Sequence, residues 1–105
     1  MAYGDAIGAL ADPTRRAIVE ALKGRALPVG ELAQGLPVSR PAVSQHLRVL
    51  GDAGLITVTP RGTRRVVALR PEGLAELRAW LDTLWDDALA AYAAEAERQA
   101  KGDSP

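Results

Sequence analysis

Apolar residues recur along this chain with a spacing that changes twice, and each change marks a change of element. From Tyr3 to Leu10 the spacing predicts a short helix with Ile7 and Leu10 on one face. Asp12-Pro13 reads as a cap followed by an N1 proline, opening a second helix through Leu22 with Ala17, Ile18, Ala21 and Leu22 facing inward. Gly24-Arg25-Ala26 breaks it, Leu27-Pro28 is a brief extended piece, and Val29 to Gln34 supplies one or two helical turns. A tight turn at Gly35-Leu36-Pro37-Val38 leads into a fourth helix over residues 39–52. Ser39 suits its cap, Pro41 its first turn, and Gly54 its left-handed end. Val43, Leu47 and Leu50 make one apolar stripe on it, with Arg40, Pro41, Ser44, Gln45 and Arg48 on the opposite side.

After Gly54 the period shortens. Leu55–Thr59 and Arg65–Leu69 are rich in β-branched residues, and Pro60-Arg61-Gly62-Thr63 between them is turn chemistry, so a hairpin is expected. Pro71 then opens a long helix to about Ala100. Along it Leu74, Leu77, Leu81, Leu84, Ala88 and Ala91 step by threes and fours, as in a coiled-coil seam, while Trp80, Trp85, Leu89 and Tyr92 widen the apolar arc. The expected fold is mainly α with a small β-hairpin, in the order α-α-α-α-β-β-α: a winged helix-turn-helix. It forms one domain over residues 1–100, with residues 101–105 as a frayed tail. So wide an apolar arc in a small domain asks for a partner, and the simplest is a second copy meeting it through the terminal helices. The expected interface is Ile7, Leu10, Leu74, Leu77, Leu81, Leu84, Trp85 and Ala88, the last helix (about 71–100) being its main element.

Composition narrows the classes. With 105 residues there is room for one core, and with aromatics at 4% it must be aliphatic. Cysteine is absent, which excludes disulfides, thiol sensing and thiolate metal sites. No apolar run approaches the roughly 18 residues of a membrane span, and no secretory signal is visible. A cytoplasmic protein without membrane partners is expected. Net charge is zero, yet it is unevenly spread. Residues 36–70 hold Arg40, Arg48, Arg61, Arg64, Arg65 and Arg70 against Asp52 alone, a balance of +5. Residues 71–105 carry a balance of −5. A basic middle is the footprint expected of a nucleic-acid binder.

The outer face of the fourth helix has the inventory of a recognition helix for double-stranded DNA. Ser44, Gln45 and Arg48 are the candidates for base edges, since Gln pairs in bidentate fashion with adenine and Arg with guanine. Ser39 and Arg40 sit where a helix start meets a phosphate, and local capping is the competing role for Ser39. Arg61, Thr63, Arg64 and Arg65 form a basic wing for phosphates or a minor groove, in a hairpin that contains no acid. His46, the lone histidine, is expected as a packed, hydrogen-bonded boundary residue, with a phosphate contact second. No second soft ligand stands by to complete a metal site. Arg15 and Arg16 are expected to pair with acids or face solvent, with a contact to the DNA backbone as the alternative. Asp82, Asp86 and Asp87 suit a solvated face better than a hard cation, and Trp80 and Trp85 suit packing better than an inducer pocket. There is no phosphate loop, no cysteine nucleophile, and no orienting acid in register with Ser44 and His46, so no enzyme and no cofactor are expected.

The pattern resembles the ArsR-type winged-helix transcriptional repressors over roughly residues 6 to 95. The resemblance is carried by Ala9-Leu10-Ala11-Asp12-Pro13-Thr14-Arg15-Arg16-Ala17-Ile18, Val29-Gly30-Glu31-Leu32-Ala33, the run Ser39 to Leu50, Ala53-Gly54-Leu55 and the Arg61-Gly62 wing. It implies homodimers whose outer helices make the interface, and recognition helices in successive major grooves. It further implies repression by blocking a promoter, relieved by an inducer whose chemistry the sequence does not name. Metal-sensing members place a Cys-x-Cys pair where this chain has Pro28 and Gly30, and another family site uses Asp and His on the last helix, which here has no His. The chain therefore resembles the branch without these metal sites. Val67 stands where a wing tyrosine is common, so no tyrosine contact carries over. Two other functions fit the same residues: a nucleoid-type binder without sequence preference, and a winged-helix module that docks a protein.

Overall fold

The structure, a computed structural model, describes residues 2–102. Eight elements follow one another: α1 (Ala2–Leu10), α2 (Pro13–Ala21), β1 (Leu27–Pro28), α3 (Val29–Gln34), α4 (Arg40–Asp52), β2 (Ile56–Arg61), β3 (Arg64–Leu69) and α5 (Pro71–Gly102). The winged helix-turn-helix order holds, with one strand added. β1 pairs antiparallel with β3, Leu27 opposite Val67 and Pro28 opposite Val66, giving a three-stranded sheet in the order β1-β3-β2. Two residues are too short to show a strand period, which is why this piece reads only as extended. Pro28 and Pro60 both lie on edge strands, where a missing N–H costs no ladder bond. The wing strands run further than the turn residues suggest, up to Arg61 opposite Arg64, leaving Gly62-Thr63 as a two-residue loop. Gly62 has φ +62° and, among the described residues, no non-glycine residue has positive φ, the pattern of a type II′ turn matched to strand twist.

The core is aliphatic and lies where α1, α2, α3, α4 and the sheet converge, around Ile18, Leu22, Leu32, Val43, Leu47, Leu50, Leu55, Ile56 and Val67. Its inward faces are narrower than the sequence pattern implies. On α2 only Ile18 and Leu22 are buried, while Ala17 and Ala21 are exposed, because residues one step off an i, i+4 pair rotate out of a single contact line. On α1 the buried positions are Ala6 and Ala9, and Ile7 is exposed. Small side chains let α1 lie close to α2, α4 and α5, which turns its largest apolar residue outward.

Local chemistry sets the helix ends. Asp12 accepts from the amides of Thr14 (2.8 Å) and Arg15 (3.1 Å), and Ser39 accepts from Ala42 N–H (3.3 Å). Helix α4 closes with Gly54 at φ +77°; Leu55 N–H donates to the Leu50 carbonyl and Gly54 N–H to the Gly51 carbonyl, each at 3.0 Å. That pair of bonds is a Schellman cap, and it turns the chain directly into β2.

The two amides and the Arg15 guanidinium hold the Asp12 carboxyl below the usual carboxylate range, the Arg15 amide bond being the largest cause. A depressed folded-state value means that the capping contribution is intact above about pH 4 and is lost as pH falls through the lowered value. Asp12→Ala is therefore expected to melt below wild type at pH 7. The gap should close as melting scans are taken down to pH 3.

Helix α5 is the outlier in shape. Its 32 residues run to Gly102, so Lys101 and Gly102, expected in a frayed tail, are helical, while residues 103–105 lie outside the described residues. At 1.5 Å per residue it is about 48 Å long. Only its first turns pack on the domain, which leaves the molecule 75 Å long. Among the described residues no helix is long and apolar enough to cross a membrane.

Candidate nucleic-acid interface

Burial of Val43, Leu47 and Leu50 fixes the roll of α4 and turns Arg40, Pro41, Ser44, Gln45 and Arg48 to solvent. The sheet then brings the wing beside this face. One groove runs between α4 and the sheet, walled by Ser44, Gln45, Arg48 and Asp52 on one side and by Val58 and Arg65 on the other. A second groove lies toward the start of α4, bounded by Arg40 and Ser44, by Thr63, Arg64 and Arg65 of the wing, and by Pro28, Val29 and Gly30. Ser44 and Arg65 form the ridge between the two. Seven of the residues singled out from sequence therefore line the grooves: Arg40, Ser44, Gln45, Arg48, Thr63, Arg64 and Arg65. Ser39, Pro41 and Arg61 are exposed but line neither, and Ser39 is occupied as the α4 cap.

Among the described residues Arg40, Arg48, Arg61 and Arg65 form no ion pair, while Arg64 approaches Glu31 of α3 at 3.9 Å. Both members of that pair are more than half exposed, so the contact is worth at most about 1 kcal/mol and leaves Arg64 available. Glu31 was not visible as a wing neighbour because it comes from another element and meets the wing only through the fold. The same holds for Gly30, where a Cβ would stand 3.3 Å from Arg40 Nη2. Positions 28 and 30, which in metal-sensing members carry the cysteine pair, here form one wall of the second groove. Among the described residues no group of three His, Cys, Asp or Glu side chains is placed to hold a metal ion.

Arg15 and Arg16 take a role that the sequence reading missed. Arg16 Nη1 donates to the carbonyls of Leu10 (2.8 Å) and Ala11 (3.0 Å), and Arg15 Nε donates to the carbonyl of Ala9 (2.6 Å). They satisfy the open end of α1, whose last turn has no basic residue of its own. The signal was their position one turn into α2, directly after the α1–α2 corner.

The expected contact residues of the terminal helices divide. Leu10 and Leu74 are partly buried against the core of their own chain, and Leu77 and Trp80 are half-buried. Ile7, Leu81, Leu84, Trp85 and Ala88 are exposed, Trp85 at 67%. They continue into Leu89 and Tyr92, also exposed, and the positions 81, 84, 85, 88, 89 and 92 keep one helical face.

Comparison with known proteins decides the family. The helix-turn-helix domain family matches residues 10–59. The HTH-type transcriptional regulator Rv2034 of Mycobacterium tuberculosis is 64% identical over 85 residues, covering 81% of this chain and 79% of that protein. An ArsR-like transcriptional regulator from Rhodococcus superposes with a TM-score of 0.73 at 30% identity, covering 87% of this chain and 89% of the other. The chain belongs to the ArsR family. It is a winged helix-turn-helix transcriptional regulator that binds DNA, not an enzyme. A homodimeric winged helix-turn-helix DNA-binding domain of Mycobacterium bovis, Mb0332, is similar to it at a TM-score of 0.66 and 25% identity, covering 84% of this chain and 82% of that one. In this ArsR-family member, then, the two grooves lie on either side of the exposed face of α4.

Proposed function

We propose that this regulator is a homodimeric repressor that reads a pseudo-palindromic operator, with α4 in the major groove and the wing on phosphates or the minor groove. The observation that carries the reading is that Arg40, Arg48 and Arg65 line the two grooves and form no ion pair among the described residues, with Gln45 beside Arg48 on the exposed face of α4. Ser44, Gln45 and Arg48 reach base edges. Arg40 and the wing residues Arg61, Thr63, Arg64 and Arg65 hold the backbone and set the register, and Ser39 and Pro41 shape the helix start that faces it. The exposed stripe of α5, together with Ile7 of α1, supplies the apolar surface that a second copy would cover; its leucines are about half exposed and Trp85 is 67% exposed. Two-fold pairing there sets two recognition helices on one side of the duplex, and repression follows from covering a promoter.

Footprinting on fragments selected from the host genome tests this. Half-sites about one DNA turn apart, or a multiple of it, are expected. Affinity should fall steeply with salt as arginines displace counterions. Equal affinity for random DNA would replace the repressor with a nucleoid-type binder. No DNA affinity at all would leave a module that docks a protein.

A further inference from the structure

The one histidine of the chain sits on the recognition helix, but not on its DNA-facing side. His46 is half-buried at the edge of the apolar stripe, and Arg15 Nη1 stands 3.4 Å from its Nδ1. Through Nε the same guanidinium donates to the Ala9 carbonyl at the end of α1, 2.6 Å away. A single side chain rooted in α2 thus bridges α1 and α4. Chemistry fixes the polarity of the bridge: a guanidinium has five donors and no acceptor, so Nδ1 must offer its lone pair. A ring that accepts there is the tautomer carrying its proton on Nε2. An imidazolium has no lone pair to offer and would face Arg15 as a second cation. The far end of the bridge matters because α1 packs along α5, the helix that carries the exposed apolar stripe.

We propose that Arg15 is a positioning residue for DNA binding: through His46 Nδ1 and the Ala9 carbonyl it ties the recognition helix to the end of α1, and protonation of His46 releases that tie. The proposal rests on the reading of α4 as the helix that enters the groove. The charged groups around His46 set the direction. From α2 and its cap come Arg15 and Asp12; Asp12 attracts an imidazolium, but its Oδ1 is already engaged by the Thr14 and Arg15 amides. Arg16 is committed to the end of α1, and Glu20 pairs with Lys23. The one charge of α1, Asp5, lies in a separate depression beside Val49 and Asp52. On α4 itself Arg48 is turned to the grooves, and β2 carries only Arg61, at the wing turn. Asp12 softens the repulsion between the two cations, but it does not restore the lost acceptor.

The test compares operator affinity of the whole protein at pH 7.5 and pH 5.5, at fixed ionic strength, on a duplex carrying the footprinted operator. Wild type should weaken about tenfold on acidification, the scale of one hydrogen bond to a charged group. The Oδ1 of His46→Asn accepts close to where Nδ1 stood and does not titrate. This variant should bind within about twofold of wild type at pH 7.5 and keep that affinity at pH 5.5. His46→Leu should be weakened at both pH values, and adding Arg15→Ala to it should cost little more operator affinity, since the tie to α4 is already broken and only the Ala9 bond within the α1–α2 corner is further lost. Melting curves at both pH values establish that each variant is folded. A flat wild-type profile overturns the proposal, and so does a fall in His46→Asn parallel to wild type, because Arg15 would then act only as the cap of α1. Absence of operator binding at pH 7.5 overturns the DNA reading itself, and this proposal with it.

Discussion

Replacing Gly73 with alanine is expected to destabilise the protein by about 3 kcal/mol, the upper part of the range for forcing extra carbon into a packed site. Gly73 is buried in the first turn of α5, against the cap that ends α4. A Cβ there would stand 1.8 Å from the Gly54 carbonyl oxygen and 2.7 Å from its carbon. Both are backbone atoms of a tight turn, so no rotamer change relieves the clash and α5 itself must move. Alanine gains about 1 kcal/mol over glycine in helix propensity, which is too little to offset that movement. The midpoint should fall by roughly 12–24 °C, taking about 4–8 °C per kcal/mol for a domain of this size. Gly51→Ala is the control. It too lies in a helix, but its added Cβ meets nothing within 4 Å, so the propensity gain should appear as a small rise in melting temperature. A Gly73→Ala melt equal to wild type would mean that α5 does not seat on the α4 cap as described.

The same turn shows what the sequence made legible and what it did not. Gly54 reads as a helix end because a left-handed residue after an apolar stripe has one common use, and the Schellman bonds at Leu55 and Gly54 match that use. Asp12-Pro13 and Ser39 read as helix starts for the same reason: caps are written within a few residues. Gly73 carried no such signal, since its constraint comes from a turn nineteen positions earlier in the chain. On α1 the spacing points to Ile7, yet Ala6 and Ala9 are the buried positions, because close helix contact selects small side chains over large ones. Ala17 and Ala21 show the opposite: they neighbour Ile18 and Leu22 in the pattern, yet both are exposed. For the candidate interface, the local part was readable: α4 has a face, and the wing has arginines. How these join into two grooves with Ser44 and Arg65 as the ridge, and that Glu31 leans on Arg64, depends on sheet order and on the third strand. Neither β1 nor its pairing with β3 is encoded in any local period.

Loss of Gln45 or Arg48 is expected to cost operator affinity about tenfold to a hundredfold each, that is about 1–3 kcal/mol, and to relax base preference at one position of each half-site. Loss of wing arginines should act differently. Arg65→Ala should weaken binding to every sequence alike and lower the salt slope by about one. The geometry supplies the reason for the contrast. Gln45 and Arg48 stand on the outer face of α4, and burial of Val43, Leu47 and Leu50 on the opposite side turns both toward whatever the helix lies against. Arg65 faces the same groove from the sheet, where it is placed to meet what passes between helix and wing rather than what lies beneath the helix. Arg64→Ala should cost less than Arg65→Ala, because binding through Arg64 must first draw it from Glu31. Titrations of each variant against operator and scrambled duplexes at several salt concentrations separate the two classes. Arg48→Ala weakening both duplexes equally would move it from base readout to backbone contact, and with it the proposed seat of α4 in the groove.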